Sequence, residues 1–317
     1  MSFTAKFFLF QTMILVPFVS GYLTKRRYGN PETFTKRLIR LNLIVVEPLI
    51  VLWSIWGLTL KTDLAFLPLA GLLMVLCGLF LGTYLVPLLK HSGRARGSFI
   101  ISASIANHGF TMGGFLCYIF LGEKGLGLSF IFITYFIPYL FLVIFPYARL
   151  VATGERYKML FVSNFLLNPQ NMPLYAIIAA ILLRVMGFER PRIFFPIDLL
   201  LMLSIAVYYF ALGVNFLIRD LFAFNRDNLL LCSIRFLLVP LITMLILTAV
   251  HLDPDVEAVI LIESCMPVAV YSVMSSVLFD LDAKRASSMF VFNTIVFLAV
   301  VFPCLFWFKG ILLRIIA

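Results

Sequence analysis

Charge is what this sequence has least of. Only 13% of its 317 residues are Asp, Glu, Lys or Arg, about half the share of an ordinary soluble domain. With 62% hydrophobic residues and a mean hydropathy of +1.06, that scarcity excludes a chain folded in water. Catalytic signatures are missing too. HExxH, GxSxG, a GxGD pair of aspartates and a Walker A sequence do not occur, and His91, His108 and His251 lack metal-type spacing. These absences remove metal and serine hydrolysis and ATP-driven pumping by this chain, so it reads as no enzyme. An arginine ladder of the voltage-sensor kind and a TVGYG filter are absent as well. Cys77, Cys117, Cys232, Cys265 and Cys304 are odd in number, lie in apolar runs and form no CxxC. They read as packing residues, not as disulfides or zinc ligands, and no metal or other cofactor is expected.

What the sequence has is long apolar runs. A hydrocarbon core takes about 20 residues of helix, and runs bounded by charges or turn signals give ten candidate helices: about 5 to 24, 38 to 60, 65 to 89, 98 to 121, 125 to 149, 169 to 187, 193 to 217, 228 to 251, 256 to 279 and 284 to 312. The runs are continuously apolar, without the alternation of barrel strands, so the fold class is an all-α polytopic membrane protein. Gly29-Asn30-Pro31 is a turn, and Asn168-Pro169 an N-cap with Pro in the first turn of helix six. Residues 1–317 form one transmembrane unit with no linker.

The first apolar run imitates a secretory signal, but Lys25, Arg26, Arg27, Lys36, Arg37 and Arg40 beyond it anchor that end in the cytoplasm, as for a retained first helix. Odd-numbered loops and their flanks carry 16 Lys and Arg against 8 on the other side, which puts both termini outside. Arg184, Arg190 and Arg192 between helices six and seven oppose this count. An odd number of helices per half inverts the second half relative to the first. A shift of 157 residues lays Val143-Ile144-Phe145-Pro146 on Val300-Val301-Phe302-Pro303 and Asn107 to Phe110 on Ser264 to Pro267. The expectation is two inverted five-helix repeats, about 1–150 and 160–317.

Polar side chains inside such helices need a partner or a purpose. Glu263 lies mid-helix before Pro267, which removes an N–H and disturbs the Glu263 carbonyl four residues earlier, a setting for a proton or a sodium ion; a Glu kept neutral and hydrogen-bonded within the bundle is the alternative. Asn107-His108-Gly109-Phe110-Thr111-Met112-Gly113-Gly114 packs three glycines into eight residues of helix four. Such a helix is apt to unwind and aim N–H groups at an anion; close packing of helices through small residues is the alternative. His108 reads either as a proton carrier or as a hydrogen-bonded core residue. Arg235 is a counter-ion for a carboxylate substrate or Glu263, or snorkels to an interface. Glu47 beside Pro48 resembles Glu263 in its setting, Asp198 reads as interfacial, and Ala211-Leu212-Gly213-Val214-Asn215 offers small residues and one amide.

Five short stretches in order then carry a family likeness: Asn107-x-Gly109-Phe110, Gly122-Glu123-Lys124-Gly125, Asn168-Pro169, Ala211-Leu212-Gly213, and Glu263-Ser264-Cys265-Met266-Pro267-Val268-Ala269. With Gly21 to Arg27 ending the first helix, the chain resembles the auxin efflux carrier (PIN-like) family of membrane transporters, in the manner of a bacterial permease. The resemblance implies a sodium/bile-acid-symporter-like architecture with scaffold helices at about 5–60 and 169–217, mobile core helices at about 65–149 and 228–312, and helices four and nine broken and crossing at the substrate site. Many relatives carry a proline after the helix-four glycine, where this chain has Gly113-Gly114.

The expected function is therefore a secondary transporter of a small organic anion (carboxylate), working by alternating access and coupled to H⁺ or Na⁺. Substrate-binding candidates are Asn107, His108, Gly113, Gly114, Ser264, Pro267 and Arg235; ion-coupling candidates are Glu263, with Na⁺ near it, and Glu47. The partners are the organic anion, the lipid of a plasma (bacterial inner) membrane and a second copy of the chain through scaffold helices, and not nucleic acid. Rivals are a bile-acid-type sodium symporter on the same fold and a transport-dead membrane sensor.

Overall fold

The computed structural model describes residues 3–25, 31–109, 112–154, 172–215 and 224–307. Among them the chain is helical between its connections, with no strand and one isolated antiparallel bridge. The helices are α1 (Phe3–Lys25), α2 (31–56), α3 (Thr62–Leu89), α4 (Gly93–Ser104), α5 (113–121), α6 (123–153), α7 (Met172–Val185), α8 (Ile197–Asn215), α9 (Asn225–Leu247), α10 (Pro254–Ser264), α11 (Val270–Leu278) and α12 (Ala283–Trp307). Among the described residues six stretches are each long and apolar enough to cross a membrane: Arg37–Trp56, Thr62–Leu89, Gly113–Thr153, Ile197–Val214, Asn225–Leu247 and Ala283–Trp307. Exposed Phe80, Tyr84, Leu182 and Trp307 suit lipid and would be a liability in water. The expected turn at Gly29-Asn30, the cap at Asn168-Pro169, Phe110-Thr111 and the Asn215 side chain lie outside the described residues.

Where the expected helix five meets helix four, Gly122 has φ +70° and ψ −155°, which separates α5 from α6. That conformation belongs to glycine. The expected helices four and nine are each two helices, α4 with α5 and α10 with α11.

Proline sets a second regularity. Among the described residues four π-helical turns, Asn42–Val46, Leu140–Ile144, Ile234–Leu238 and Phe297–Val301, each end two residues before a proline: Pro48, Pro146, Pro240 and Pro303. A proline ring clashes with the carbonyl four residues earlier, and in every case that carbonyl belongs to the middle residue of the π turn. The widened turn lets the helix continue through the proline.

The described residues of 1–61, 109–131 and 159–216 form one compact unit, and those of 62–108, 132–158 and 217–317 a second. In the first, α1 packs along α8, and α7 along the second half of α2. A Cβ at Gly21 would stand 2.1 Å from the Phe210 carbonyl oxygen, and one at Gly213 1.9 Å from that of Phe18. Ala211-Leu212-Gly213 therefore serves close backbone approach. The family resemblance would assign 109–131 to a mobile core, whereas compactness groups it with the first unit. Gly127 lies against the Ser54 carbonyl of α2, Glu123 pairs with Arg190, and the Tyr118 hydroxyl donates to Asp198. In the second unit α3 packs on α4, α9 and α11 on α12, and α10 on α3 and α9.

Candidate functional site

In the second unit α4 stops at Ser104, and Ile105 takes an extended conformation. α10 starts on an Asp253 cap with Pro254 in its first turn and stops at Ser264, because Pro267 offers no N–H and disfavours helix at Met266. The two non-helical stretches lie side by side. Asn107 N–H donates to the Pro267 carbonyl (2.7 Å) and Ala269 N–H to the Ile105 carbonyl (3.1 Å) around the antiparallel bridge of Ala106 with Val268. Val268 N–H donates to Oδ1 of Asn293 on α12 (2.9 Å). Each break thus supplies partners for backbone groups that hydrocarbon would leave unmet.

His108 joins the two breaks. It is buried, with Nε2 2.9 Å from the Glu263 carbonyl oxygen and Nδ1 2.5 Å from the Tyr135 hydroxyl of α6. A carbonyl only accepts, so Nε2 carries the proton and, in the neutral ring, Tyr135 donates to Nδ1. The edges of Phe132 and Tyr135 complete the surroundings. The Glu263 carbonyl disturbed by Pro267 accepts from Met266 N–H (3.2 Å) as well as from His108, while its side chain is fully buried.

Arg235 sits in the π turn of α9 with no exposed surface, so it does not snorkel. Its guanidinium donates to the carbonyls of Ala103 and Ser104 at the end of α4 (3.4 Å each) and to that of Met266 just past α10 (3.3 Å). Both helices present their partly negative ends to it, the favourable sign for a cation. Ser264 is buried and donates to the Leu261 carbonyl one turn back (2.7 Å).

Six of the nine sequence candidates, Asn107, His108, Arg235, Glu263, Ser264 and Pro267, therefore gather in this unit. The other three belong to the first unit. Gly113 and Gly114 open α5, where Gly114 N–H donates to the Gly109 carbonyl (2.8 Å) and a Cβ at Gly114 would stand 2.9 Å from Ser129 Oγ. Glu47 is buried beside the first π turn, accepting from Asn42 Nδ2 (3.2 Å) and from the Tyr208 hydroxyl; Asn42 also donates to Ser204 Oγ (2.8 Å). Sequence reading missed Tyr135, Asn293 and Asn42, which carry no motif. The one available signal was a lone amide in an apolar stretch, as for Asn293 between Phe292 and Thr294-Ile295-Val296 and for Asn42 within Arg37–Trp56. Among the described residues no group of three or more metal-ligating side chains occurs.

A search of curated proteins gives no match. A family model described as a membrane transport protein matches residues 8–307, nearly the whole chain and every element of the site above. The likeness first carried by five short motifs thus extends over the full set of helices, and the chain belongs to the auxin efflux carrier (PIN-like) family of integral membrane transport proteins.

Proposed function

We propose that this protein is a secondary active transporter of a small organic anion, working by alternating access with the antiparallel breaks at 105–108 and 265–269 at its substrate site. The observation that carries the reading is the convergence of two helix ends, a fully buried Arg235 and a buried Glu263 around hydrogen-bonded non-helical backbone. Soluble cores avoid such arrangements, and transporters use them where ions and substrates bind at depth. Asn107, His108, Ser264 and the backbone at Pro267 would hold the carboxylate with Arg235 as the fixed charge behind them, and Gly113 and Gly114 would lend flexibility. Glu263 would carry H⁺ or Na⁺, either of which offsets the cost of a carboxylate charge at a fully buried position, with Glu47 a second candidate and no other cofactor involved.

The architecture proposed with it has ten crossings in two inverted repeats, with α4–α5 and α10–α11 the broken, crossing segments. The π turns at Leu140–Ile144 and Phe297–Val301 support it, being 157 residues apart, in the register that aligns Val143 to Pro146 with Val300 to Pro303. Both termini would face outside in a plasma membrane, with dimerisation through the first unit's helices.

The test is Glu263→Gln, which imitates the protonated group. Thermal-shift screening against mono- and dicarboxylates, with and without sodium, first selects a substrate, because a ligand of the folded state raises stability with its concentration. In proteoliposomes the variant should exchange that substrate at equal concentrations and lose uptake driven by a proton or sodium gradient. Unchanged gradient-driven uptake would reassign Glu263 to structure, and absence of transport by the unaltered protein for every carboxylate would overturn the anion reading.

A further inference from the structure

In the second unit, α4, α9 and α12 begin at a shared group of ionisable side chains. His91, in the connection before α4, places Nε2 2.6 Å from Oδ1 of Asp227 in the first turn of α9 and 2.8 Å from Nη1 of Arg285 in the first turn of α12. The same Nη1 donates to the same Asp227 oxygen (2.7 Å). Arg285 is fixed from two further sides: its Nε donates to Asp282, the N-cap of α12 (3.1 Å), and its guanidinium lies 4.4 Å from the centre of the Phe224 ring just before α9. His91 is the movable member. The side chains of Asp227, Arg285 and His91 are only 6%, 14% and 16% exposed, so water has little room to relieve a mismatch among them.

A mismatch is built in. An ionised carboxylate only accepts and a guanidinium only donates, so Asp227 asks Nε2 to be a donor and Arg285 asks it to be an acceptor. The charged ring can satisfy Asp227 alone, and it then sets a second cation against Arg285 at 2.8 Å. Loss of the proton ends that repulsion and frees Nε2 to accept from Arg285, a bond open to the neutral ring only. Among the described residues the other charged side chains that these elements carry here, Lys90, Arg94, Arg96, Arg226 and Lys284, are exposed, and Arg94 pairs with Asp280. The end of α6, which also packs on α4, adds Tyr147 and Arg149. Histidine is the side chain whose charge ordinarily changes between about pH 5 and 8.

We infer that His91 is a proton-binding switch, separate from Glu263, which holds the connection before α4 to Asp227 of α9 when charged and releases it to Arg285 of α12 when neutral. The same helices are joined again at the breaks. Arg235 of α9 holds the Ala103 and Ser104 carbonyls at the end of α4, and Asn293 of α12 holds the N–H of Val268, the bridge partner of Ala106. Asp227 precedes Arg235, and Arg285 precedes Asn293, by eight residues each, about 12 Å of helix. A displacement of α4 between α9 and α12 at His91 is therefore delivered to the backbone that lines the crossing. That substrate binds at the crossing rests on the function proposed above; the switch itself does not.

The test uses the full-length protein in nanodiscs, cysteine-free apart from pairs of spin labels at Ser92→Cys with Asn225→Cys and at Ser92→Cys with Lys284→Cys, all exposed positions. Ser92 makes no capping bond, so its replacement leaves α4 intact. Distances are read by double electron–electron resonance at pH 8 and pH 5. Acidification should lengthen the 92–284 distance and shorten 92–225 by about 1 to 2 Å, the size of helix shifts in switching proteins. In His91→Gln, whose amide offers a donor and an acceptor at every pH, both distances should stay constant. Distances that ignore pH in the protein with His91, or that change equally in His91→Gln, would overturn the switch. A second arm follows exchange of the carboxylate chosen by thermal shift, with equal concentration and equal pH on both sides. Its rate should depend on pH, and less so in His91→Gln; an identical pH response in the two proteins would overturn transmission from His91 to the crossing. Absence of exchange at any pH would count against the transport reading alone, because the distances test the switch without a substrate.

Discussion

Replacing Arg235 by methionine leaves three buried carbonyl oxygens, at Ala103, Ser104 and Met266, without their donor. Hydrogen bonds between membrane helices average about 0.6 kcal/mol, which puts a floor near 2 kcal/mol; bonds from a charged donor in good geometry contribute about 1.5 or more each, about 4.5 for three. The contacts are long, 3.3 to 3.4 Å, and methionine relieves a buried charge, so a loss of about 2 to 3 kcal/mol is expected. At ~2 to 4 °C per kcal/mol for chains approaching this size, Tm in detergent should fall by roughly 4 to 12 °C at a fixed scan rate. Arg235→Lys keeps the charge but brings one ammonium to carbonyls on two helix ends, and should recover about half. A second readout follows the geometry. In a cysteine-free background, cysteines at Ala106 and Val268, which face each other across the antiparallel bridge, should cross-link quickly, and more slowly with Met at 235. A methionine variant as stable as the unaltered protein, cross-linking at the same rate, would refute the view that Arg235 ties the ends of α4 and α10 together.

Gly213→Val should disrupt the first unit by several kcal/mol or prevent accumulation in the membrane, because its Cβ would collide with the Phe18 carbonyl; wild-type-like Tm and expression would contradict that packing. Gly122→Ala meets open space, so only its backbone conformation counts, and a loss of about 1 to 3 kcal/mol by thermal unfolding is expected. His108→Phe should lower stability by about 1 to 3 kcal/mol, removing both the Tyr135 and Glu263 bonds, and His108→Gln should restore part of it. An impermeant amine reagent applied to intact cells should label residues at the termini and spare Lys25 and Lys36; the reverse pattern would invert the proposed topology.

The apolar runs and both helix interruptions were legible because each has a local cause: too many glycines in sequence after Asn107, and a proline at 267 that denies the helix an N–H. Proximity of the two breaks was suggested only by a short repeat and a family likeness. Lateral partners were not legible. Nothing near Asn293 in sequence announces the Val268 N–H, and nothing near His108 announces Tyr135, since such pairings depend on how helices distant in sequence pack. Arg190 shows the limit of counting charges. It weighed against the topology as one positive residue in a loop, yet it pairs with Glu123 and lies over Trp53, so an engaged arginine says less about orientation than a solvated one.

Each of the four π turns inserts one residue into its helix relative to regular α winding, and one residue is about 100° of rotation. The halves of α2, α6, α9 and α12 therefore run out of phase. A stripe that faces lipid below the turn faces protein above it, and no single apolar face persists from end to end, so a helical wheel drawn through the whole segment averages two orientations. Deleting one residue beside Pro240 would restore the phase and swing Arg235 away from the helix ends it meets. Deletion scanning across the four prolines would thus report where each helix changes the neighbour it addresses, information that side-chain substitution leaves hidden.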